Sequence, residues 1–292
     1  MASARKVTWM SGARPTMEGA GVRLKRAFGY REVPMFDPFL MLDDFSSGNP
    51  SDYLAGFPWH PHRGIETITY MLHGEVEHQD SMGNHGTIRT GDVQWMTAGS
   101  GIIHQEMPKK PSDDPVIAGF QLWANLPAKH KMMDPRYRDV VASTIPEVTI
   151  GHRARVKVIC GVVEGISGPV KDIVIDPEYI DVTVEPGQTF TRHVKDGNMA
   201  AAYVIDGEAI FDDGKPPAGK ATLALFGEGD EIVSKARQAG ARFLLVSGKP
   251  IKEPVAWGGP IVMNTDAELQ IAFAEYEAGT FVKLEKHKKR YN

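Results

Sequence analysis

The feature that most constrains the fold of this chain is a series of short β-branched runs separated by residues that favour tight turns. Gly74, the stretch 82–84 and the Asp-Gly pairs at 206–207 and 213–214 can adopt the positive φ angles of such turns. Short strands joined by tight turns favour hairpins over strand–helix–strand units, so we expect an all-β fold. The strand-like runs are residues 65–72, 116–123, 157–163, 180–184, 200–211 and 241–247.

The length of 292 residues exceeds what one hydrophobic core usually organises, which predicts two domains. An internal repeat supports this division, because a Gly-Glu pair and a later Gly-Asp pair recur in both halves. The pairs stand at 74–75 and 91–92, and again at 207–208 and 229–230. Offsets of about 133 and about 138 residues suit two copies of one domain. We expect domains over residues 1–140 and 146–292, with a boundary near Pro146.

One helix is predicted over residues 265–278. Thr265 and Glu268, three residues later, have the pattern of a capping box, and Gly279 follows as a C-terminal cap. Because an apolar stripe must be buried, we expect an amphipathic helix that docks on the surface of a β-barrel. The stripe consists of Leu269, Ala272, Phe273 and Tyr276.

Charge and cysteine content exclude several classes of protein. The net charge of -4 gives no general attraction to nucleic acid. The single cysteine, Cys160, cannot form an internal disulfide, which excludes disulfide-stapled scaffolds and cysteine-rich zinc modules. No apolar run approaches the roughly 18 residues that a membrane span needs. We therefore expect a cytoplasmic monomer, and we interpret the basic segment 283–292 as a solvated tail.

Two pairs of metal-binding residue types mark the first half of the chain. His60 and His62 are two residues apart, as are His104 and Glu106, so each pair shares one face of an extended strand. Glu66 continues the even-numbered face of the first pair. If the two strands meet, three imidazoles and one carboxylate can hold one ion. A nitrogen and oxygen ligand set suits Fe(II), Mn, Ni, Cu, Co or Zn.

A single His-x-His pair on a strand is more often a surface or a satisfied polar pair than a metal site. The second pair, after a glycine-rich turn, favours the metal interpretation. The even-numbered face then runs on through Ile68, Tyr70 and Leu72, which are apolar, so we expect that face to point inward. Inward imidazoles and carboxylates need partners, and one metal ion would satisfy all of them.

At these residues the chain resembles the pirin family of the cupin superfamily. The resemblance covers nearly the whole chain, and its motifs occur in order with pirin-like spacing. They are HPHRGIET at 60–67, GTIRTGDVQWMTAG at 86–99, HQEMP at 104–108, QLW at 121–123 and GPIVMN at 259–264.

The resemblance implies a bicupin, with two β-barrels and one mononuclear divalent metal, foremost Fe(II), in the N-terminal barrel. The family's ligands fall by motif on His60, His62, His104 and Glu106. Glu66 stands where many other cupins have their ligand carboxylate; we assign it a supporting or core role, since two carboxylates at one ion would repel each other.

The resemblance also implies a function. Some pirins resemble quercetin 2,3-dioxygenases, which open a flavonol ring with O2 and release carbon monoxide, and here Glu106 would act as both ligand and catalytic base. A flat aromatic substrate would need an apolar pocket. Other pirins resemble iron-binding regulators that sense redox state and contact a protein partner. A third alternative is metal-dependent isomerisation or hydrolysis of a small metabolite.

Four residues are candidate pocket walls, although aromatic and methionine side chains are more often plain core. They are Trp59, Tyr70, Met96 and Trp123. Arg63 could orient an anionic substrate or form an ion pair within the barrel.

The repeat predicts that the second barrel is metal-free. At the first offset His193 falls opposite His60, but Lys195 falls opposite His62. At the second offset, the residues that correspond to His104 and Glu106 carry a cationic and an alkyl side chain. These replacements are Arg242 and Leu244.

Overall fold

The computed structural model describes residues 2–109 and 114–283. Of the basic segment 283–292, only Lys283 is among the described residues, so the interpretation as a solvated tail lies outside them. The described chain consists mostly of β-strands with one α-helix, which confirms the expected all-β fold. None of its described helices combines the length and the apolar character that a membrane crossing requires.

Twelve strands come from the described residues of the first half of the chain. They are β1 (Val7–Gly12), β2 (Arg14–Glu18), β3 (Val22–Phe28), β4 (Phe39–Asp44), β5 (Phe57–His62), β6 (Ile65–His73), β7 (Glu75–Asp80), β8 (His85–Arg89), β9 (Val93–Thr97), β10 (Ile102–Pro108), β11 (Ala118–Asn125) and β12 (Arg136–Val140).

The second half, as far as residue 283, adds twelve strands and the helix. They are β13 (Glu147–Ile150), β14 (Ala154–Cys160), β15 (Val162–Val163), β16 (Ile166–Ser167), β17 (Glu178–Val184), β18 (Thr189–His193), β19 (Met199–Ile210), β20 (Ala218–Gly219), β21 (Thr222–Phe226), β22 (Glu231–Gly248), β23 (Ala256–Gly258), β24 (Ile261–Met263) and α1 (Asp266–Glu277). Short 3-10 helices occupy Tyr30–Glu32, Pro50–Asp52, Ala128–His130 and Ala142–Thr144.

The chain divides into two compact units. The N-terminal unit contains residues 15–34, 39–142 and 252–292, and the C-terminal unit contains residues 1–14, 35–38 and 143–251. The sequence-based division into 1–140 and 146–292, with a boundary near Pro146, stays a prediction. In the structure the main change of unit follows residue 142, and each chain terminus lies with the unit of the other half. The physical reason is strand pairing: β1 pairs along β21, and Val262 of β24 donates its backbone N–H to the carbonyl of Arg63.

The N-terminal unit contains a seven-stranded sheet, in the order β12-β9-β6-β11-β4-β3-β2, and a four-stranded sheet, in the order β5-β10-β7-β8. Neighbouring strands run antiparallel. Gly74, at a φ of 88°, is a bend at which the chain leaves β6 in one sheet and enters β7 in the other. Apolar side chains from both sheets share a core that includes Leu24, Met71, Val76 and Ile88.

The C-terminal unit is built on a nine-stranded sheet in which β19 and β22 are long antiparallel neighbours. The predicted tight turn at 206–207 is wrong. Gly207 lies inside β19, at a φ of 68°, where the register with β22 is irregular. A Cβ atom at this position would overlap the carbonyl of Gly240, so glycine is required here by close backbone approach.

The helix α1 forms where the capping pattern predicts it. The hydroxyl of Thr265 accepts the backbone N–H of Glu268 at 3.2 Å, and the carboxylate of Glu268 accepts the backbone N–H of Thr265 at 2.9 Å. Gly279 follows the helix at a φ of 69°.

The expected apolar stripe of α1 is only partly buried. Ala272 is fully buried, but Phe273 and Tyr276 each remain 38% exposed. The helix packs on the short β23–β24 hairpin, where Leu269 and Phe273 lie against Gly258. Within the expected apolar stripe, Ala272 is therefore buried as predicted, whereas Phe273 and Tyr276 stay partly exposed.

Candidate metal centre

Three histidines of the N-terminal unit converge as the sequence predicts. β5 and β10 are antiparallel neighbours, and His104 lies directly opposite His60. The metal-binding atoms of His60, His62 and His104 all lie within 4.8 Å of one another. Their ring centroids are 4.4 to 5.0 Å apart.

Two of the imidazoles have their tautomers set by backbone carbonyls. The Nδ1 atom of His60 lies 2.8 Å from the oxygen of Pro58, and the Nδ1 atom of His62 lies 2.9 Å from the oxygen of Pro260. Carbonyl oxygens only accept, so each Nδ1 carries a proton, and a neutral ring in this tautomer keeps a lone pair on Nε2. These two Nε2 atoms are 3.1 Å apart. Two facing lone pairs at this distance fit a site for a shared cation.

The third imidazole, His104, is fully buried, and neither ring nitrogen has a hydrogen-bond partner among the described residues. Burial, and then the charge of the neighbouring His60, lowers the pKa of His104 well below its usual value. Burial also lowers the pKa of His62 to about 3. Neutral imidazoles with free lone pairs are the form that binds a divalent metal, so the donor set fits such an ion.

The fourth predicted ligand, Glu106, lies two residues beyond His104 on β10 and is buried. It is not part of the group of three whose ligand atoms lie within 4.8 Å. Its Oε1 accepts the hydroxyl of Thr69 at 2.9 Å, and it lines the same cavity as His60 and His62. The carboxylate therefore shares the cavity with two of the histidines, while its hydrogen bond comes from the opposite sheet.

The expectation that Glu66 shares a face with the histidines is wrong. Gly64, at a φ of 77°, separates β5 from β6, and the two strands belong to different sheets. The carboxylate of Glu66 accepts Thr97 Oγ1 at 2.7 Å and Trp95 Nε1 at 3.2 Å. Burial raises the pKa of Glu66. This is a core position supported by two donors, as the assignment to a supporting or core role predicted.

The same bend changes which residues of β6 face the cavity. Thr69 lines it, whereas the even-numbered residues Ile68 and Tyr70 are buried elsewhere. The expected alignment of the even-numbered face with the histidines therefore fails after Gly64.

A further buried histidine, His78, was not singled out from the sequence. It lies opposite Glu106 in the pairing of β7 with β10, and its ring centroid is 5.3 Å from that of His104. Its ring stacks on Tyr137 at 4.8 Å. A sequence signal for His78 was present, because alternation along β7 places His78 on the same face as Val76 and Asp80, and all three are buried.

A cavity of about 630 Å³ opens beside His60, His62 and Glu106. Of the four candidate wall residues, Trp59 and Trp123 line it, whereas Met96 belongs to a separate core cluster. Further aromatic walls were missed from the sequence because they come from distant segments. They are Tyr30, Phe45, Tyr53, Phe57 and Trp257.

Arg63 does not line the cavity; it forms an ion pair, but with Glu275 of helix α1 and not within the barrel as the alternative expected. Its Nη1 lies 2.7 Å from Glu275, and its Nε and Nη2 donate to the carbonyls of Ser100 at 2.7 Å and Phe281 at 2.9 Å. The guanidinium lies 4.2 Å from the centre of the Phe281 ring. Arg63 therefore anchors the C-terminal segment beside the ligand strand.

In the C-terminal unit, the positions that the repeat compares with the ligands have other contacts. Arg242 donates twice to Asp181, at 3.0 and 2.6 Å, and Leu244 is fully buried in the core. His193 is exposed at the end of β18. That this unit holds no metal stays a prediction.

Comparison with known proteins identifies two family domains along the chain. The family profile described as Pirin matches residues 21–124, and the profile described as Pirin C-terminal cupin domain matches residues 179–282.

Relatives match over nearly their full length. A pirin-like protein of Caulobacter vibrioides is 44% identical over 278 residues, which cover 95% of this chain and 99% of the relative. A Pseudomonas aeruginosa protein with the provisional name quercetin 2,3-dioxygenase is 42% identical over 281 residues, covering 94% and 97% of the two chains.

Solved structures share the architecture. A quercetin 2,3-dioxygenase from Acinetobacter baumannii superimposes with a TM-score of 0.87 at 32% identity, covering 96% of this chain and 99% of that one. The Escherichia coli pirin YhhW in complex with nickel(II) superimposes with a TM-score of 0.61 at 20% identity, covering 83% and 98%.

Proposed function

Since this chain belongs to the pirin family of bicupins, we propose that it is a metal-dependent dioxygenase that opens flavonols such as quercetin. In this reaction both atoms of O2 enter the ring-opened product, and one ring carbon leaves as carbon monoxide. The observation that carries the proposal is the convergence of three imidazoles beside a cavity that several aromatic side chains line. The provisional name of the Pseudomonas aeruginosa relative and the Acinetobacter baumannii structure support the same reaction.

His60, His62 and His104 would hold one divalent metal ion, with Glu106 as the fourth ligand. Iron(II) heads the candidates, and Ni, Mn, Cu, Zn and Co suit the same donors. When bound, the ion supplies Lewis-acid stabilisation of the flavonol 3-oxyanion. The Nδ1 hydrogen bonds of His60 and His62 keep both rings oriented with Nε2 toward the site, which preorganises it for a cation.

Glu106 is the general base of the proposal. Its Oε1 accepts the Thr69 hydroxyl, which leaves Oε2 to take the proton of the 3-hydroxyl group. Because the side chain is buried beside the cavity, the proton transfer takes place away from bulk water.

The cavity determines the kind of substrate. A volume of about 630 Å³ lies within the range of pockets that enclose small organic ligands. Trp59, Trp123 and Trp257 supply flat apolar walls, which suit a fused aromatic ring system.

Oxygen consumption and metal content together test the proposal. The wild type, His62→Ala and His85→Ala are purified in parallel, their metals are quantified, and O2 uptake is followed with quercetin. His85 is an exposed histidine on β8 of the same sheet, so its variant is the matched control. We expect the wild type and His85→Ala to take up one O2 per quercetin, and His62→Ala to lose both metal and uptake.

Two outcomes contradict the proposal in different ways. If the iron-loaded wild type consumes no more oxygen than His62→Ala, the dioxygenase function fails and an iron-binding regulatory role takes its place. If no metal is retained after supply of iron, nickel and manganese, the ligand assignment itself fails.

A further inference from the structure

A row of polar residues crosses the cavity face of the seven-stranded sheet. Thr69 on β6 is paired with Gln121 on β11, Gln121 with Asp43 on β4, and Asp43 with Arg26 on β3. Directly paired residues project from the same face of a sheet, and all four line the cavity. β6 and β3 are three strand spacings apart, so the row extends ~14 Å.

One end of the row contacts the candidate metal centre. The Thr69 hydroxyl lies 2.9 Å from Glu106 Oε1 and 2.8 Å from Gln121 Oε1. A hydroxyl has one proton, so it can donate to only one of these oxygens. With Glu106 as the acceptor, the Gln121 amide must turn its NH2 group toward Thr69. Glu106 is thereby linked through Thr69 to the middle of the row.

The other end of the row is charged. Arg26 donates from Nε and Nη2 to the two oxygens of Asp43, at 2.8 and 2.7 Å, and its Nη2 also lies 2.9 Å from Glu18. These contacts use both protons of Nη2. Within the described residues, Nη1 takes part in no hydrogen bond, and the side chain is 21% exposed. Two N–H donors are therefore available to a ligand at this end.

The charge balance at this end decides which oxygen group fits. Two carboxylates, from Glu18 and Asp43, surround one guanidinium, so the local charge is negative if both are ionised. A carboxylate on the ligand would meet net repulsion. A neutral hydroxyl can accept from Arg26 and donate to Glu18 or Asp43, which satisfies both signs.

We propose that this row selects flat aromatic ligands that carry a neutral hydroxyl group on the ring remote from the metal centre. The inference rests on the proposed function, because it takes the 3-hydroxyl end of the flavonol to lie at the histidines. Arg26 is the specificity residue, and Asp43 and Glu18 hold it in place.

Binding of a matched ligand series tests the inference without turnover. Metal-loaded full-length protein is titrated under anaerobic conditions with 3-hydroxyflavone, with derivatives bearing one added hydroxyl on either outer ring, and with a derivative bearing a carboxyl there. We expect one hydroxylated derivative to bind about tenfold more tightly than 3-hydroxyflavone, the size of one charge-assisted hydrogen bond. The carboxyl derivative is expected to bind more weakly than its hydroxyl counterpart.

Three variants assign the selectivity to named residues. Arg26→Met is expected to lose the tenfold preference for the hydroxylated derivative over 3-hydroxyflavone. Arg23→Met is the matched control, because this side chain on the same strand is 70% exposed and does not line the cavity. Glu18→Gln removes an exposed carboxylate, so it is expected to reduce the difference in affinity between the hydroxyl and carboxyl derivatives. If Arg26→Met does not fold, this variant still tests the charge argument.

The experiment distinguishes failure of this inference from failure of the proposed function. Equal affinity for the whole ligand series overturns the selectivity of the row and leaves the proposed function standing. Tighter binding of the carboxyl derivative overturns the charge argument. If no member of the series binds the wild type, the proposed function fails and this inference fails with it.

Discussion

The Nδ1 atom of His62 donates to the carbonyl oxygen of Pro260 at 2.9 Å, across 198 residues of sequence. Pro260 lies between β23 and β24, in the segment that Arg63 anchors through Glu275 and Phe281. The orientation of one candidate ligand therefore depends on a distant part of the chain. Partners that hold the second nitrogen of a ligand histidine usually affect metal affinity.

Replacing Arg63 with methionine tests this dependence. The change removes a buried cation and leaves two carbonyls without their donors, so we expect a loss of about 3–5 kcal/mol in the free energy of unfolding. We also expect metal affinity to fall by roughly 10–100-fold, because His62 loses its support. Urea denaturation and metal titration measure the two effects. Arg155→Met, at a half-exposed position, should change neither, and unaltered metal binding in Arg63→Met would contradict the link.

Lys131 gives the N-terminal unit a pH dependence. Its Nζ donates to the carbonyls of Gly64 and Val262 at 3.0 Å and to Asn125 Oδ1 at 2.7 Å. Burial lowers its pKa from 10.5 to about 8, against the opposing charges of Glu253 and Glu268.

Between these two values the unfolded chain binds the proton that the folded chain has released. The free energy of unfolding should therefore rise with pH from about 8 to 10.5, by on the order of 3 kcal/mol from this group. Lys131→Met should lack that rise. Urea denaturation at a series of pH values compares the two proteins, and parallel curves would show that Lys131 has an ordinary pKa.

Metal stoichiometry separates the two barrels. We expect one tightly bound divalent ion per chain, lost in His62→Ala and retained in His193→Ala, which changes the histidine that the repeat places opposite His60. Elemental analysis of purified protein measures it. Two ions per chain in the wild type would refute the prediction that the C-terminal barrel is metal-free.

Thr69→Val keeps the shape of the side chain but removes the hydroxyl that holds Glu106. We expect kcat with quercetin to fall about tenfold while metal content stays at wild-type level, because the carboxylate loses one charge-assisted hydrogen bond. Thr69→Ser should restore most of the rate. Steady-state O2 uptake and metal analysis check both, and a metal-depleted Thr69→Val would instead indicate a structural role.

The local part of the candidate site could be predicted from the sequence. Two-residue spacing on extended strands placed His60 beside His62, and the pairing of β5 with β10 brought His104 opposite them. The helix α1 was likewise predictable, because its capping box involves only Thr265 and Glu268.

Alternation fails where the backbone bends. Gly64 ends one strand and the next begins in another sheet, so even-numbered residues on its two sides do not share a face. Thr69 therefore lines the cavity, whereas Glu66, which alternation places on the same face as the histidines, is buried in the core. The bend itself could be suspected from the glycine, but its direction depends on tertiary packing.

Long-range contacts had no local signal at all. The support of His62 by Pro260 and the charged pair of Arg26 with Asp43 depend on how distant strands meet. The same holds for the exchange of chain termini between the two units. Composition and periodicity predict single strands and helices, but they do not predict which distant strands or residues come into contact.

The acceptor of the His62 hydrogen bond, Pro260, is translated long after the histidine itself. The ribosome makes the three histidines early, but Pro260 follows only after residues 143–251, the main body of the C-terminal unit, have been translated. A nascent chain that stops before this point carries every histidine of the site while His62 still lacks its acceptor. We therefore expect full metal retention only in chains that are translated past Pro260.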